Sequence, residues 1–226
     1  MATKVKFCGL KTTEAVRLAA ELGAWKIGFI FFPKSPRHVG LAEATELGRL
    51  ARDIGLETTA VTVNASEDEL AEIVSAVRPN LLQFHGSETP EHVGAMKARF
   101  GLPAMKAFSI REASDLEAVE AYRGVADYVL FDAKAPKGSE LPGGNGVSFD
   151  WSLLGGLPAE LDYVLSGGLT VDNIGQALAE TGARFVDVSS GIESMPGVKD
   201  PAKMRAFAAA VSRHDQSVAK TRESVA

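Results

Sequence analysis

The sequence predicts an α/β chain folded as one (β/α)8 barrel, and three observations predict it. Short runs rich in β-branched and aromatic residues alternate with longer runs of helical period, the pattern of repeated βα units on a parallel sheet. Eight such units follow one another within 226 residues, more than a doubly wound open sheet ordinarily carries at this length. A hydrophobic content of 46% can bury one substantial core, and α/β barrels reach this size as single domains. The expected architecture is therefore a single-domain TIM barrel.

Strand one, residues 5–8, stops at Cys8 and leads to a helix at 13–22, which ends in Leu22-Gly23-Ala24 with glycine near the C-cap. Strand two, 26–31, runs into the polar turn Phe32-Pro33-Lys34-Ser35-Pro36-Arg37-His38 before a helix at 41–53. Strand three, 57–63, precedes a helix at 67–77, and strand four, 81–84, meets His85-Gly86 before a helix at 90–100. Strand five, 104–108, leads to a helix at 114–122. Strand six, 128–131, stops at Asp132 and a long loop containing Gly143-Gly144-Asn145-Gly146, ahead of a short helix at 149–154. Strand seven, 163–165, runs into Ser166-Gly167-Gly168 and a helix at 171–180 for which Thr170 is a candidate cap. Strand eight, 185–188, meets Ser189-Ser190-Gly191, and a last helix covers 201–213. Residues 1–213 then make the barrel. The polar tail 214–226 has little apolar periodicity and is expected to be disordered.

Composition removes several function classes. A net charge of -5 with both signs interspersed leaves no basic footprint for nucleic acid. One cysteine excludes an intramolecular disulfide framework. The opening Met1-Ala2-Thr3-Lys4 lacks the apolar stretch of a secretion signal, and no run reaches membrane-spanning length. A cytoplasmic protein with no membrane partner is expected. Four histidines without paired ligand spacing argue against a metal site, and Trp25 and Trp151 read as packing residues.

Chemistry in such a barrel belongs at the carboxyl ends of the strands. A lone cysteine is ordinarily a small buried hydrophobe, but Cys8 ends strand one and Asp132 ends strand six, so the two suggest a base and an acid. Residues two apart share a strand face, which puts Lys6 one layer beneath Cys8 with Val5 and Phe7 outward. The lysine charge there would favour the thiolate. Gln83 pairs with His85 by the same rule, and Asp187 with Ser189. The loops after strands seven and eight, with Gly167, Gly168, Ser189, Ser190 and Gly191, fit backbone binding of a phosphate.

Eight motifs in order, each at a strand end, carry a family resemblance: Lys6-Phe7-Cys8-Gly9-Leu10, Gly28-Phe29-Ile30-Phe31, Ser35-Pro36-Arg37, Leu82-Gln83-Phe84-His85-Gly86, Asp132-Ala133-Lys134, Gly143-Gly144-Asn145-Gly146 with Phe149-Asp150-Trp151, Leu165-Ser166-Gly167-Gly168-Leu169 and Asp187-Val188-Ser189-Ser190-Gly191. Over nearly its whole length the chain resembles phosphoribosylanthranilate isomerase of tryptophan biosynthesis. The family more usually has threonine where Asn145 stands, and only small effects are expected from that departure. The resemblance implies a cofactor-free Amadori rearrangement of N-(5-phosphoribosyl)anthranilate to 1-(2-carboxyphenylamino)-1-deoxyribulose 5-phosphate. It implies Asp132 as general acid and Cys8 as general base. Arg37 would grip the anthranilate carboxylate, with Gln83, His85 and Asp187 contacting substrate, and Gly143, Gly144, Asn145 and Gly146 forming the loop beside it. The acid must stay protonated near neutral pH and the base must deprotonate there, so an ordinary Asp at about 3.9 and Cys at about 8.5 would both need shifting.

The resemblance leaves monomer and homodimer open. A sugar-phosphate isomerase of a histidine-type pathway would share the phosphate loops but is expected to use two aspartates, where this chain has Cys8. A cysteine hydrolase would need a histidine within reach of the thiol and an oxyanion hole. A barrel that only binds ligand leaves the acid and base unexplained.

Overall fold

The computed structural model describes residues 2–135, 138, 143–144, 146–158 and 161–223. Eight parallel strands, β1 (Lys4–Cys8), β2 (Lys26–Phe31), β3 (Thr58–Thr62), β4 (Leu81–Phe84), β5 (Ala104–Ile110), β6 (Tyr128–Ala133), β7 (Tyr163–Leu165) and β8 (Phe185–Val188), pair in chain order and close on themselves. Closure comes through β1, which pairs Cys8 with Gly28 on one side and Lys6 with Asp187 on the other.

Strand alternation divides the core in two. Val5, Phe7, Ile27, Phe29, Phe84, Phe131 and Val186 pack outward against the helices, in the larger apolar cluster. Leu81, Met105, Ala107, Leu130, Val164 and Phe185 fill the barrel interior. Barrel interiors of this kind are packed with side chains rather than open. What remains polar inside is displaced to the two ends.

Regular helices follow the first four strands: α1 (Thr13–Glu21), α2 (Leu41–Asp53), α3 (Glu67–Val77) and α4 (Pro90–Phe100). Three of the four, α1, α3 and α4, have side-chain caps at their starts. Thr12 accepts from the Ala15 N–H, Ser66 and Glu69 form a capping box, and Thr89 precedes Pro90 at the first turn. After β5 and β6 the expected helices are instead 3-10 segments, Ala113–Tyr122 and Trp151–Gly156. Neither has the buried apolar stripe that stabilises an α-helix against a sheet: the first buries none of its residues fully, and the second only Trp151 and Leu154.

The last two units depart from expectation in three further places. Helix α5 (Ile174–Thr181) begins three residues late, because Asn173 takes the Thr170 N–H on its side chain and donates to the Gly168 carbonyl, folding 170–173 as a turn. Thr170 is therefore not its side-chain cap. Between β8 and the last helix lies a small antiparallel hairpin, β9 (Glu193–Met195) and β10 (Val198–Lys199). Helix α6 (Pro201–Glu223) runs ten residues beyond 213, so over 214–223 the expected disorder is replaced by helix. Asp215 explains the anchoring, since its carboxylate accepts from the Thr3 N–H at 2.8 Å and the Thr3 hydroxyl at 2.7 Å at the start of β1.

Candidate active site

Three buried ionic clusters meet at the carboxyl end of the barrel. The first is built on β1, β2 and β8. Cys8 and Lys6 face inward, and Lys6 is 0% exposed. Its ammonium is neutralised by Asp187, Nζ to Oδ1 at 2.9 Å, while the Ser166 hydroxyl donates to the other carboxylate oxygen at 3.3 Å. Gly28 on β2 makes the room: a Cβ there would stand 2.8 Å from the Cys8 sulfur and 3.2 Å from the Lys6 nitrogen. Burial pushes the Cys8 thiol up, and although Lys6 and Lys199 pull it down, the balance stays above the ordinary thiol range, with Asp187 adding to the rise. The expectation that lysine would leave the thiol acidic is thus corrected. The attraction has the expected sign, but a fully buried anion costs more than it returns. Burial also pushes Lys6 down, yet Asp187 and Cys8 together hold it above its ordinary value.

The second cluster joins β4 to β6. The Gln83 amide contacts His85 Nδ1 at 2.9 Å, and His85 Nε2 lies 3.2 Å from Asp132 Oδ2. The imidazole thus bridges the Gln83 amide and the Asp132 carboxyl. Asp132 Oδ1 accepts the Ala133 N–H at 2.9 Å. Two glycines crowd this carboxyl. A Cβ on Gly143 would strike Oδ2 and the His85 ring, and one on Gly167 would come within 3.1 Å of Oδ1. A side chain at Gly143 would displace the aspartate, and one at Gly167 would strike the Ala133 backbone nitrogen beside it.

The third cluster was not anticipated. Arg37 is 5% exposed because its guanidinium clamps Glu193 in a side-on pair, Nε to Oε1 at 2.8 Å and Nη2 to Oε2 at 2.9 Å. Lys199 adds a second cation to Glu193 at 2.8 Å and donates to the Ser189 carbonyl at 2.9 Å. Burial raises Glu193, but the pull of Arg37 and Lys199 leaves it below the usual carboxylate range, while burial lowers Lys199 despite Glu193 beside it. Glu193 and Lys199 sit on the unforeseen hairpin, so no strand-end rule could have flagged them. The one signal was two opposite charges six residues apart, directly after Ser189-Ser190-Gly191.

These clusters line a single cleft enclosing about 680 Å³, part of it open to solvent. Of the expected site residues, Cys8, Asp132, Arg37, Gln83, His85, Asp187, Gly143, Gly144, Gly167, Gly168, Ser189 and Ser190 all form its wall. Ser35, Phe32 and Ser166 join them. Gly167 and Gly168 take φ of +85° and +61°, a consecutive pair that only glycine adopts readily, and turn the backbone of the strand-seven loop toward the cleft. Two expected residues lie outside the wall. Gly191 packs against the Leu169 carbonyl behind it, and Gly146 has open space around it. Asn145 falls outside the described residues. The Ser189 hydroxyl is engaged within the protein, donating to the Cys8 carbonyl at 3.1 Å.

A family model described as N-(5'phosphoribosyl)anthranilate (PRA) isomerase matches residues 5–210. The chain belongs to this family. Among the phosphoribosylanthranilate isomerases, the Brucella canis protein is 58% identical over 212 residues, spanning 94% of this chain and 95% of its own. The crystal structure of the Thermotoga maritima isomerase superposes with a TM-score of 0.83 at 31% identity, covering 94% of this chain and 99% of that one. A further isomerase structure, in complex with reduced 1-(o-carboxyphenylamino)-1-deoxyribulose 5-phosphate, gives a TM-score of 0.81 at 29% identity with the same coverage. Among the described residues no helix is long and apolar enough to cross a membrane.

Proposed function

We propose that this isomerase converts N-(5-phosphoribosyl)anthranilate to 1-(2-carboxyphenylamino)-1-deoxyribulose 5-phosphate in the cytoplasm, with Asp132 as acid and Cys8 as base. The observation that carries the reading is that a carboxyl on β6 and a thiol on β1, three strands apart around the barrel, face one cleft. Asp132 gives a proton to the ring oxygen as the C1–O bond breaks, and the anilino nitrogen lone pair forms the C1=N bond. Cys8, in its thiolate form, then takes the proton from C2 and becomes the thiol. The electrons left behind make the C1=C2 bond of an enolamine, which tautomerises to the C2 ketone as C1 gains a proton, so no atoms or electrons are lost. No cofactor is required.

His85 holds the Asp132 carboxyl in place and is itself held by Gln83. Arg37 receives the anthranilate carboxylate, and the turns at Gly167-Gly168 and Ser189-Ser190 receive the phosphate at the far side of the cleft. Asp187 is engaged with Lys6 and Ser166, so its part is to keep the cation under Cys8 rather than to grip substrate through a free carboxylate. The cysteine-hydrolase alternative loses its base, because the nearby histidine is bonded to Asp132 and Gln83.

The test is turnover of freshly generated phosphoribosylanthranilate, followed by loss of anthranilate fluorescence. Wild-type turnover with Cys8→Ala and Asp132→Asn each reduced by about 10²-fold or more is expected for lost acid or base catalysis. Undiminished variants would overturn the roles, and an inactive wild type would overturn the reaction. Light scattering on the purified chain distinguishes monomer from homodimer.

A further inference from the structure

A guanidinium has two edges that can each take a carboxylate in parallel hydrogen bonds, and among the described residues the protein fills only one of them on Arg37. Nε and Nη2, the side-on edge, belong to Glu193. The other end of the fork faces the cleft wall: a Cβ on Gly144, at φ +71°, would stand 2.5 Å from Nη1. Gly144 thus lies against the Nη1 end of the fork, its missing side chain leaves that end uncovered by a Cβ, and both residues line the cleft. Lys199 grips Glu193 from the other side and reaches the Ser189 carbonyl and hydroxyl at 2.9 and 3.2 Å. Ser189 in turn bonds the Cys8 carbonyl. With two cations and one carboxylate, this cluster carries one positive charge in excess.

We propose that Glu193 is a positioning residue for carboxylate recognition. It occupies the side-on edge of Arg37 so that the end-on edge is presented, already fixed, to the ring carboxylate of the substrate, and Lys199 fastens this clamp to the strand-eight loop. The inference rests on the reading of Arg37 given above. Arginine has many rotamers, and fixing one before the ligand arrives removes an ordering cost from binding. Glu193 thereby acts on which substrate is held, through Arg37, and touches no reacting atom.

The experiment is calorimetric titration of the full chain with two probes: reduced 1-(o-carboxyphenylamino)-1-deoxyribulose 5-phosphate, and its counterpart with an unsubstituted phenyl ring. In the wild type the carboxylate tightens binding, and the ratio of the two Kd values measures that preference. In Glu193→Gln the ratio is expected to fall by about tenfold or more, the scale of a charge-assisted pair, while the phenyl probe binds as before. Glu193→Asp keeps the charge but not the reach to both nitrogens, gives an intermediate ratio, and serves as the reading should the glutamine variant melt. A ratio unchanged in both variants, or equal weakening of the two probes, overturns the inference. Arg37→Met separates the two layers. A ratio kept in Arg37→Met overturns the reading of Arg37 and the inference with it, whereas a ratio lost there but kept in the Glu193 variants overturns the inference alone.

Discussion

The two ends of the barrel interior use the same strands and many of the same residue types, yet handle charge in opposite ways. At the amino end Lys26 pairs with Glu57, a carboxylate half exposed to solvent, and lies 4.9 Å over the ring of Trp25. Trp25, Tyr128 and Phe185 close that end as an aromatic plug, with ring centres 4.7 to 6.1 Å apart. At the carboxyl end Lys6, Asp187, Arg37, Glu193, Lys199 and Asp132 are all buried and interlocked. At the base Lys26 is itself 5% exposed and burial pushes it down to about 8, and it is the partner, Glu57, that keeps its water. A charge at the mouth has lost its water and depends on its partner. The difference teaches where function is stored: the base holds the barrel shut, and the mouth holds charges in place for a substrate.

Breaking a pair at each end separates the two roles. The largest effect is expected from Lys6→Met, which strands Asp187 and should cost about 3–5 kcal/mol in denaturant unfolding. Lys6→Met with Asp187→Asn should recover most of that loss and, because Asp187 adds to the rise of the thiol, leave Cys8 more acidic than in Lys6→Met alone. A smaller effect follows from Trp25→Ala, which opens a half-buried plug and should cost about 2 kcal/mol. Its kcat/KM should match the wild type, and a loss of activity there would erase the distinction between the ends. Smallest is Glu57→Gln, expected within about 0.5 kcal/mol of wild type. A large change would mean that Lys26, which is buried, depends on its half-exposed partner as the charges at the mouth depend on theirs.

The pH dependence sharpens the same contrast. Because burial holds the Cys8 thiol above its ordinary range, the reactive thiolate gains population only as pH rises past that range. Alkylation of Cys8 should therefore be slow at neutral pH and accelerate only on the alkaline side of the ordinary thiol range, with the profile moved further alkaline in Lys6→Met. An unchanged profile in that variant would remove Lys6 from the control of the thiol.

Much of the mouth was legible in the sequence, because in a barrel the reacting residues end strands and strand ends are marked by short apolar runs. Cys8, Gln83, His85, Asp132 and Asp187 all fall where that rule places them, and the inward pairing of Lys6 with Cys8 follows from alternation alone. Arg37 was legible by type and motif but not by partner. Glu193 and Lys199 lie on a hairpin that no periodicity announces, and their importance arises from a pairing 156 residues apart in sequence from Arg37. The acidity of Cys8 was misjudged for a related reason: the sequence shows a nearby cation, but the depth of burial that outweighs it is a property of the closed barrel. The segments after β5 and β6 misled in the other direction. Their helical period is real, but it supports only 3-10 turns where few side chains are buried.

One measurement addresses the central claim, that the thiol at the end of β1 is the base of this reaction. Because the chain has a single cysteine, alkylation at pH 9 can be counted by intact mass while turnover of phosphoribosylanthranilate is followed in the same sample. The account predicts that activity falls in step with one alkyl group per chain, and that the reduced product analogue slows both together. Complete alkylation with turnover intact would contradict it.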